Sequence, residues 1–199
     1  MPRPAYYVFA AFSLIIALVS LRALVLPLPL VMPGMAHFLT EAPLRMWAHI
    51  LGGPMALALA PVQLSDRIRA RWPSLHRWSG RLYGLAVLVA GLAGLTLAPG
   101  SEATWLARSG FMVLALGWLG STGIGIFYAM RGATAQHRWW MKRSIALTFA
   151  AVTLRIMMAP LMAVGWTVAE TYNITAWGAW LFNLAVLEWW DRRRVVRLA

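Results

Sequence analysis

A helix needs about 20 predominantly apolar residues to cross roughly 30 Å of hydrocarbon. This chain offers six stretches of that kind, at about 6–28, 43–64, 78–97, 105–130, 144–164 and 176–190. Inside a bilayer every backbone N–H and C=O must find its partner within the protein, so such stretches fold as helices. The links between them are short, which makes neighbouring helices antiparallel. The expected fold is therefore all-α: a polytopic membrane protein, one domain over residues 1–199, built as a bundle of six transmembrane helices. Composition agrees, with 61% hydrophobic and only 12% charged residues, where a soluble domain carries about a quarter charged. The first stretch is too long for a typical signal peptide and lacks a clean small-x-small cleavage site, so it reads as a retained helix. The loop from Met32 to Glu41 is the longest on its side and has room for a short interfacial helix.

The basic residues sort to one side. Fourteen of the 18 Lys and Arg fall at one set of helix ends: Arg3; Arg67, Arg69, Arg71, Arg77 and Arg81; Arg131, Arg138, Lys142 and Arg143; and Arg192, Arg193, Arg194 and Arg197. The opposite loops hold Arg45 and Arg108 with Glu41, Glu102 and Glu170. The positive-inside rule then places both termini in the cytoplasm. A net charge of +12 would suggest nucleic acid in a soluble protein. Here the bases lie between spans and set orientation instead, so no nucleic-acid partner is expected. The 12 tryptophans suit the two lipid–water boundaries. With no cysteine there is no disulfide, thiol chemistry or iron–sulfur cluster.

Two basic, aromatic segments lead into apolar helices. The first lead-in is Leu75-His76-Arg77-Trp78-Ser79-Gly80-Arg81-Leu82-Tyr83, and the second is His137-Arg138-Trp139-Trp140-Met141-Lys142-Arg143-Ser144. Their echo suggests a parallel duplication of helix pairs. His76 and His137 fall at the same depth. Two facing histidines can ligate a b-type haem iron through one ring nitrogen each, with Arg81 and Arg143 taking the propionates by charge-assisted bonds. Gly80 and Gly84 lie near one face with His76, where they either pack helices closely or clear room for a flat ring. Interfacial anchoring by imidazole, Arg and Trp explains the same residues without a cofactor. No His-Glu or Cys cluster has zinc spacing, and no P-loop, nucleotide fingerprint or nucleophile triad is present.

Ionisable groups inside spans are functional candidates by default. Arg155 follows Arg143 by 12 residues, about 18 Å of helix, which puts it with His49 and Arg22 in the outer half of the membrane. Backbone carbonyls freed by Pro54, Pro61 or Pro160, the outer acids, water or a bound anion could satisfy it. Three readings follow. In the first, the protein is a b-type haem or quinone-linked redox protein, with His49 and Arg155 at an outer second haem or quinone carbonyl. In the second, it binds or carries a small anionic solute or lipid headgroup, with Arg155 and His49 as the clamp. In the third, it is an accessory subunit that packs against a larger membrane complex.

The same residues resemble a bacterial family of predicted integral membrane proteins whose domain has no assigned function. Its marks are a His near Gly-Pro in helix two, a Leu-His-Arg-x-x-Gly-Arg-x-Tyr motif, and a His-x-x-Trp-Met-x-Arg-Ser motif followed by an intramembrane Arg. Here they fall on His49, Gly53 and Pro54; on Leu75, His76, Arg77, Gly80, Arg81 and Tyr83; on His137, Trp140, Met141, Arg143 and Ser144; and on Arg155. The likeness covers about residues 40–190. It implies a fold and a place in the bacterial inner membrane, and no activity. A looser likeness to small diheme membrane cytochromes is analogy only.

Overall fold

The computed structural model describes residues 2–196; Arg197, counted above among the inner bases, lies outside the described residues. Among the described residues every regular element is helical. Four helical segments are long and apolar enough to cross a membrane: Arg3–Leu24, Pro73–Gly100, Trp105–Met130 and Thr134–Ala163. The chain forms two compact units, Met1–Glu102 and Ala103–Ala199.

In the first unit, α1 (Arg3–Ser20) runs into a 3-10 turn at Leu21–Leu24. It ends there, short of the 28 expected, because Pro27 and Pro29 interrupt the chain. Arg22, expected inside the span, sits in this turn and donates to the Val31 carbonyl at 2.9 Å. The loop that follows contains two single-turn helices, α2 (Leu28–Val31) and α3 (Phe38–Glu41). They close over a cluster of Ala23, Leu28, Phe38, Ala42, Met46, Ile50 and Leu97. Next come α4 (Pro43–Leu64), α5 (Asp66–Arg71) and α6 (Pro73–Leu97). Proline opens both α4 and α6, where its missing N–H costs nothing and its fixed φ suits the first turn.

The pairing of α4 with α6 holds this unit together. A Cβ on Gly52 would lie 3.0 Å from Ala90 Cβ and 3.1 Å from the Ala86 carbonyl oxygen, so the backbones touch where α4 crosses α6. Ala56, Ala60, Ala90 and the whole of Tyr83 are sealed along the same seam. At its two ends the seam is tied by polar side chains of α4. His49 Nδ1 donates to the Ala90 carbonyl at 3.0 Å. Gln63 Nε2 donates to the His76 carbonyl at 3.2 Å and to Ser79 Oγ at 2.7 Å.

The second unit comprises α7 (Trp105–Met130), α8 (Thr134–Thr148), α9 (Ala150–Ala163) and α10 (Val168–Val196). Gly132 at φ +69 and Gly165 at φ +96 close the ends of α7 and α9 in the left-handed region that side chains avoid. A single residue, Phe149, separates α8 from α9. Thr148 donates to the Ser144 carbonyl at 2.9 Å just before the interruption, and back-bonding of this kind bends helices. The 144–164 stretch therefore begins ten residues earlier, at Thr134, and the 176–190 stretch extends in both directions. Polar side chains inside the apolar stretches pair with one another across the helices of this unit. A buried ladder links α7 to α8: Trp118 Nε1 donates to Thr148 Oγ1 at 2.8 Å, and the Thr122 and Ser144 hydroxyls share a bond of 2.6 Å. Asn183 on α10 donates to the Ala146 carbonyl at 3.0 Å and accepts from Thr153 Oγ1 at 2.8 Å, tying α8 and α9 to α10.

Candidate functional site

The two echoing lead-ins occupy comparable places in their units, each at the basic end of a long apolar helix. Their charges are used differently. In the second lead-in Arg143 is buried at 8% exposure. Its guanidinium stacks on the Trp139 ring, 3.1 Å from the centroid, donates to the Trp139 carbonyl at 2.9 Å and forms an ion pair with Glu188. Next to it Lys142 pairs with Asp191 at 2.8 Å. Two of the chain's six acids thus bind α10 to the first turns of α8. His137 Nδ1 donates to the Gly125 carbonyl on α7 at 2.8 Å.

Near the first lead-in there is a single acid, Asp66, which pairs with Arg69. Among the described residues no carboxylate lies within ion-pair distance of Arg67, Arg71, Arg77 or Arg81. Arg81 rests over Trp78, 4.6 Å from the centroid, and Arg71 over Trp72 at 5.8 Å. Arg77 donates to Ser74 Oγ at 3.4 Å. Trp72 and Trp78 are exposed, Trp78 at 67%. The corner from α5 into α6 forms a shallow, open hollow lined by Arg71, Trp72, Pro73, Ser74 and Leu75. A ring face attracts a guanidinium without using its N–H donors, so these arginines keep outward-facing donors suited to carboxylate or phosphate oxygens.

The other expected site residues fall as follows. His76 lies half-buried in the first turn of α6, and its carbonyl receives Gln63. His49 bonds Ala90, 14 residues further along α6, which is about 21 Å. His49 and His76 therefore stand at separate levels of the first unit. A Cβ on Gly80 would lie 3.0 Å from Gln63 Oε1, so Gln63 fills the space beside it; Gly84 is buried on the α6 seam. Gly94 is filled in the same way by His49, and Gly125 by Met141. Arg155 is exposed on α9 and donates to the Ala151 carbonyl at 2.8 Å. His76 and His49 belong to the first unit; His137, Arg143 and Arg155 belong to the second. Among the described residues no three His, Cys, Asp or Glu side chains gather as a metal site.

Gln63, Trp118 and Thr122 do not stand out in the sequence, although each fixes a helix pair. Gln63 is one polar residue near a helix end, which carries no periodic signal. Trp118 reads as one indole among many. Asp191, the partner of Lys142, follows two tryptophans at the end of an apolar run and reads there as an ordinary boundary residue.

Among known protein families, a model described as a predicted membrane protein, DUF2306, matches residues 46–190. No curated protein and no solved structure gives a significant match.

Proposed function

The chain belongs to the predicted membrane protein family DUF2306, and from that premise we propose that it binds anionic ligands at the cytoplasmic rim of a six-span inner-membrane bundle. The observation that carries this reading is the difference between the first and second lead-ins. Lys142 and Arg143 are neutralised by Asp191 and Glu188, whereas Arg71, Arg77 and Arg81 face outward beside exposed tryptophans. A basic cluster at a membrane surface attracts anionic groups by about 1 kcal/mol per cation.

The six-span layout adds α4 and α10 to the four apolar segments. At 22 and 29 residues both are long enough. What lowers their apolarity is spent within each unit: His49 and Gln63 against α6, Asn183 and Glu188 against α8 and α9. Both termini then lie on the basic side. The chain has no cysteine, so single cysteines at Arg67 and Glu102 give a clean test with a membrane-impermeant maleimide on intact cells. The layout expects labelling at 102 and protection at 67; the reverse pattern overturns it.

Ligand binding is tested by the melting temperature of the full chain in detergent as anionic or zwitterionic lipid is added. Anionic lipid should stabilise the wild type and Lys142→Gln alike, and should lose its effect in Arg71→Gln/Arg77→Gln/Arg81→Gln. Equal response of all three proteins contradicts the proposal.

One observation favours a second reading, that of a b-type haem or quinone-linked protein. His49 and His137 each donate Nδ1–H to a backbone carbonyl of the neighbouring helix, and metal-ligating histidines are oriented in this way. A Soret band after haem-replete expression, lost in His137→Ala, supports the haem; a colourless protein refutes it.

A further inference from the structure

Resting on the anion-binding reading, we infer that the ligand of the α5–α6 corner is a two-tailed anionic glycerophospholipid, with its phosphodiester in the hollow before Leu75 and an acyl chain along one face of α6. The headgroup end follows from donor chemistry. Arg71, Arg77 and Ser74 converge on the hollow or its rim, and Pro73 opens α6 there. Because Arg71 and Arg81 lie against ring faces, their N–H edges are not turned to any carboxylate. A phosphodiester offers two charged oxygens that an arginine fork can take together.

The tail end follows from spacing. Leu75, Trp78, Leu82, Leu85, Val89 and Leu92 are all exposed, and they follow one another at intervals of three and four residues. That rhythm keeps them on one face of a helix. They extend over 17 residues, about 26 Å, which exceeds the depth of a single leaflet in a core of about 30 Å. The stripe beside it, one residue out of phase, is Ser74, Arg77 and Arg81. A polar, phosphate-binding edge and an apolar track thus begin at the same corner and share one helix. A soluble anion would use the first and have no use for the second. The second lead-in offers no such pair of features, since Lys142 and Arg143 are held by Asp191 and Glu188.

The test titrates the full chain in detergent with three probes: dioleoyl phosphatidylglycerol, its deacylated headgroup glycerophosphoglycerol, and inorganic phosphate. Binding is read by thermophoresis, with phosphatidylcholine as the neutral control. The two-tailed lipid should bind at least tenfold more tightly than either tailless probe. Arg71→Gln and Arg77→Gln, both at exposed positions, should each weaken it about fivefold without changing the phosphatidylcholine curve. Trp78→Ala should weaken the lipid and leave the headgroup probe unchanged. If the tailless headgroup or phosphate binds as tightly as the lipid, the anion-binding reading stands and the two-tailed ligand is wrong. If no anionic probe binds better than phosphatidylcholine, or if the arginine variants bind as wild type does, the anion-binding reading itself fails.

Discussion

The lead-ins at His76 and His137 begin with the same three residues, His-Arg-Trp, and five positions after the histidine each carries a cation, Arg81 or Lys142. Lys142 meets Asp191 from α10, while Arg81 rests on the ring of Trp78. The motif is shared; the partner helix decides its use. Where α10 brings acids to the membrane boundary, the lead-in becomes a clasp between helices. Where α4 brings Gln63 instead, the helices are tied by hydrogen bonds and the cations stay available. A basic motif at the mouth of a span is therefore not a site until the acids of the neighbouring helices have been accounted for.

The strongest way to break this comparison is to cut the clasp. Arg143→Ala leaves Glu188 half-buried without its cation, and should cost about 2–3 kcal/mol, below the range for fully buried pairs because Glu188 retains solvent. Arg81→Ala, the matched change in the first lead-in, should cost less than about 1 kcal/mol, since an exposed cation–π contact is worth little more. Chemical unfolding of both variants in one detergent compares them directly, and equal losses would deny that the two segments differ.

The next effect concerns the seams that hold each unit. Gly52→Val puts new atoms against Ala90 and the Ala86 carbonyl, and overpacking of this sort costs about 1–3 kcal/mol. In the second unit a hydrogen bond from Asn183 to the Ala146 carbonyl ties α10 to α8. Asn183→Leu should cost about 1 kcal/mol, within the span measured for polar contacts between membrane helices. Gly53→Ala meets nothing within 4 Å and should be neutral or slightly stabilising, because alanine favours helix by about 1 kcal/mol over glycine. Gly52→Val should melt lowest, Asn183→Leu next and Gly53→Ala highest.

The smallest effect lies at the start of α10, ahead of the apolar 176–190 run. Glu170 accepts from the Thr167 N–H and hydroxyl, both at 2.7 Å, and its own N–H bonds back to Thr167 Oγ1 at 3.3 Å, forming a capping box. These bonds hold its carboxyl below the ordinary value of 4.5. The sign follows: the stabilisation is complete above the unfolded-state value and is lost as pH falls through the lowered folded-state value. Thr167→Ala keeps the backbone N–H and loses the hydroxyl, so it should shrink this acid-side loss, and Glu170→Gln should abolish it, read as a flatter dependence of melting temperature on pH in mildly acidic buffer.

Much of the fold is legible in the sequence because hydrophobic runs and helix starts are local. Pro43 and Trp105 open α4 and α7 where the apolar stretches begin. The start of α8 is not legible. Thr134 to Arg143 is polar enough to read as a loop, and its helicity depends on Gly125, Glu188 and Asp191, which are remote in sequence. The same holds for the site. The clustering of arginines can be read from sequence alone, but not which of them are neutralised, because that depends on which helix packs beside which.

The difference between the first and second lead-ins is tested most directly by native mass spectrometry of the full chain released from micelles containing phosphatidylglycerol. Arg71→Gln/Arg77→Gln/Arg81→Gln should retain fewer lipid molecules than wild type, while Lys142→Gln should retain as many. Equal loss in both variants, or loss in Lys142→Gln alone, would contradict the assignment of the anion site to the α5–α6 corner.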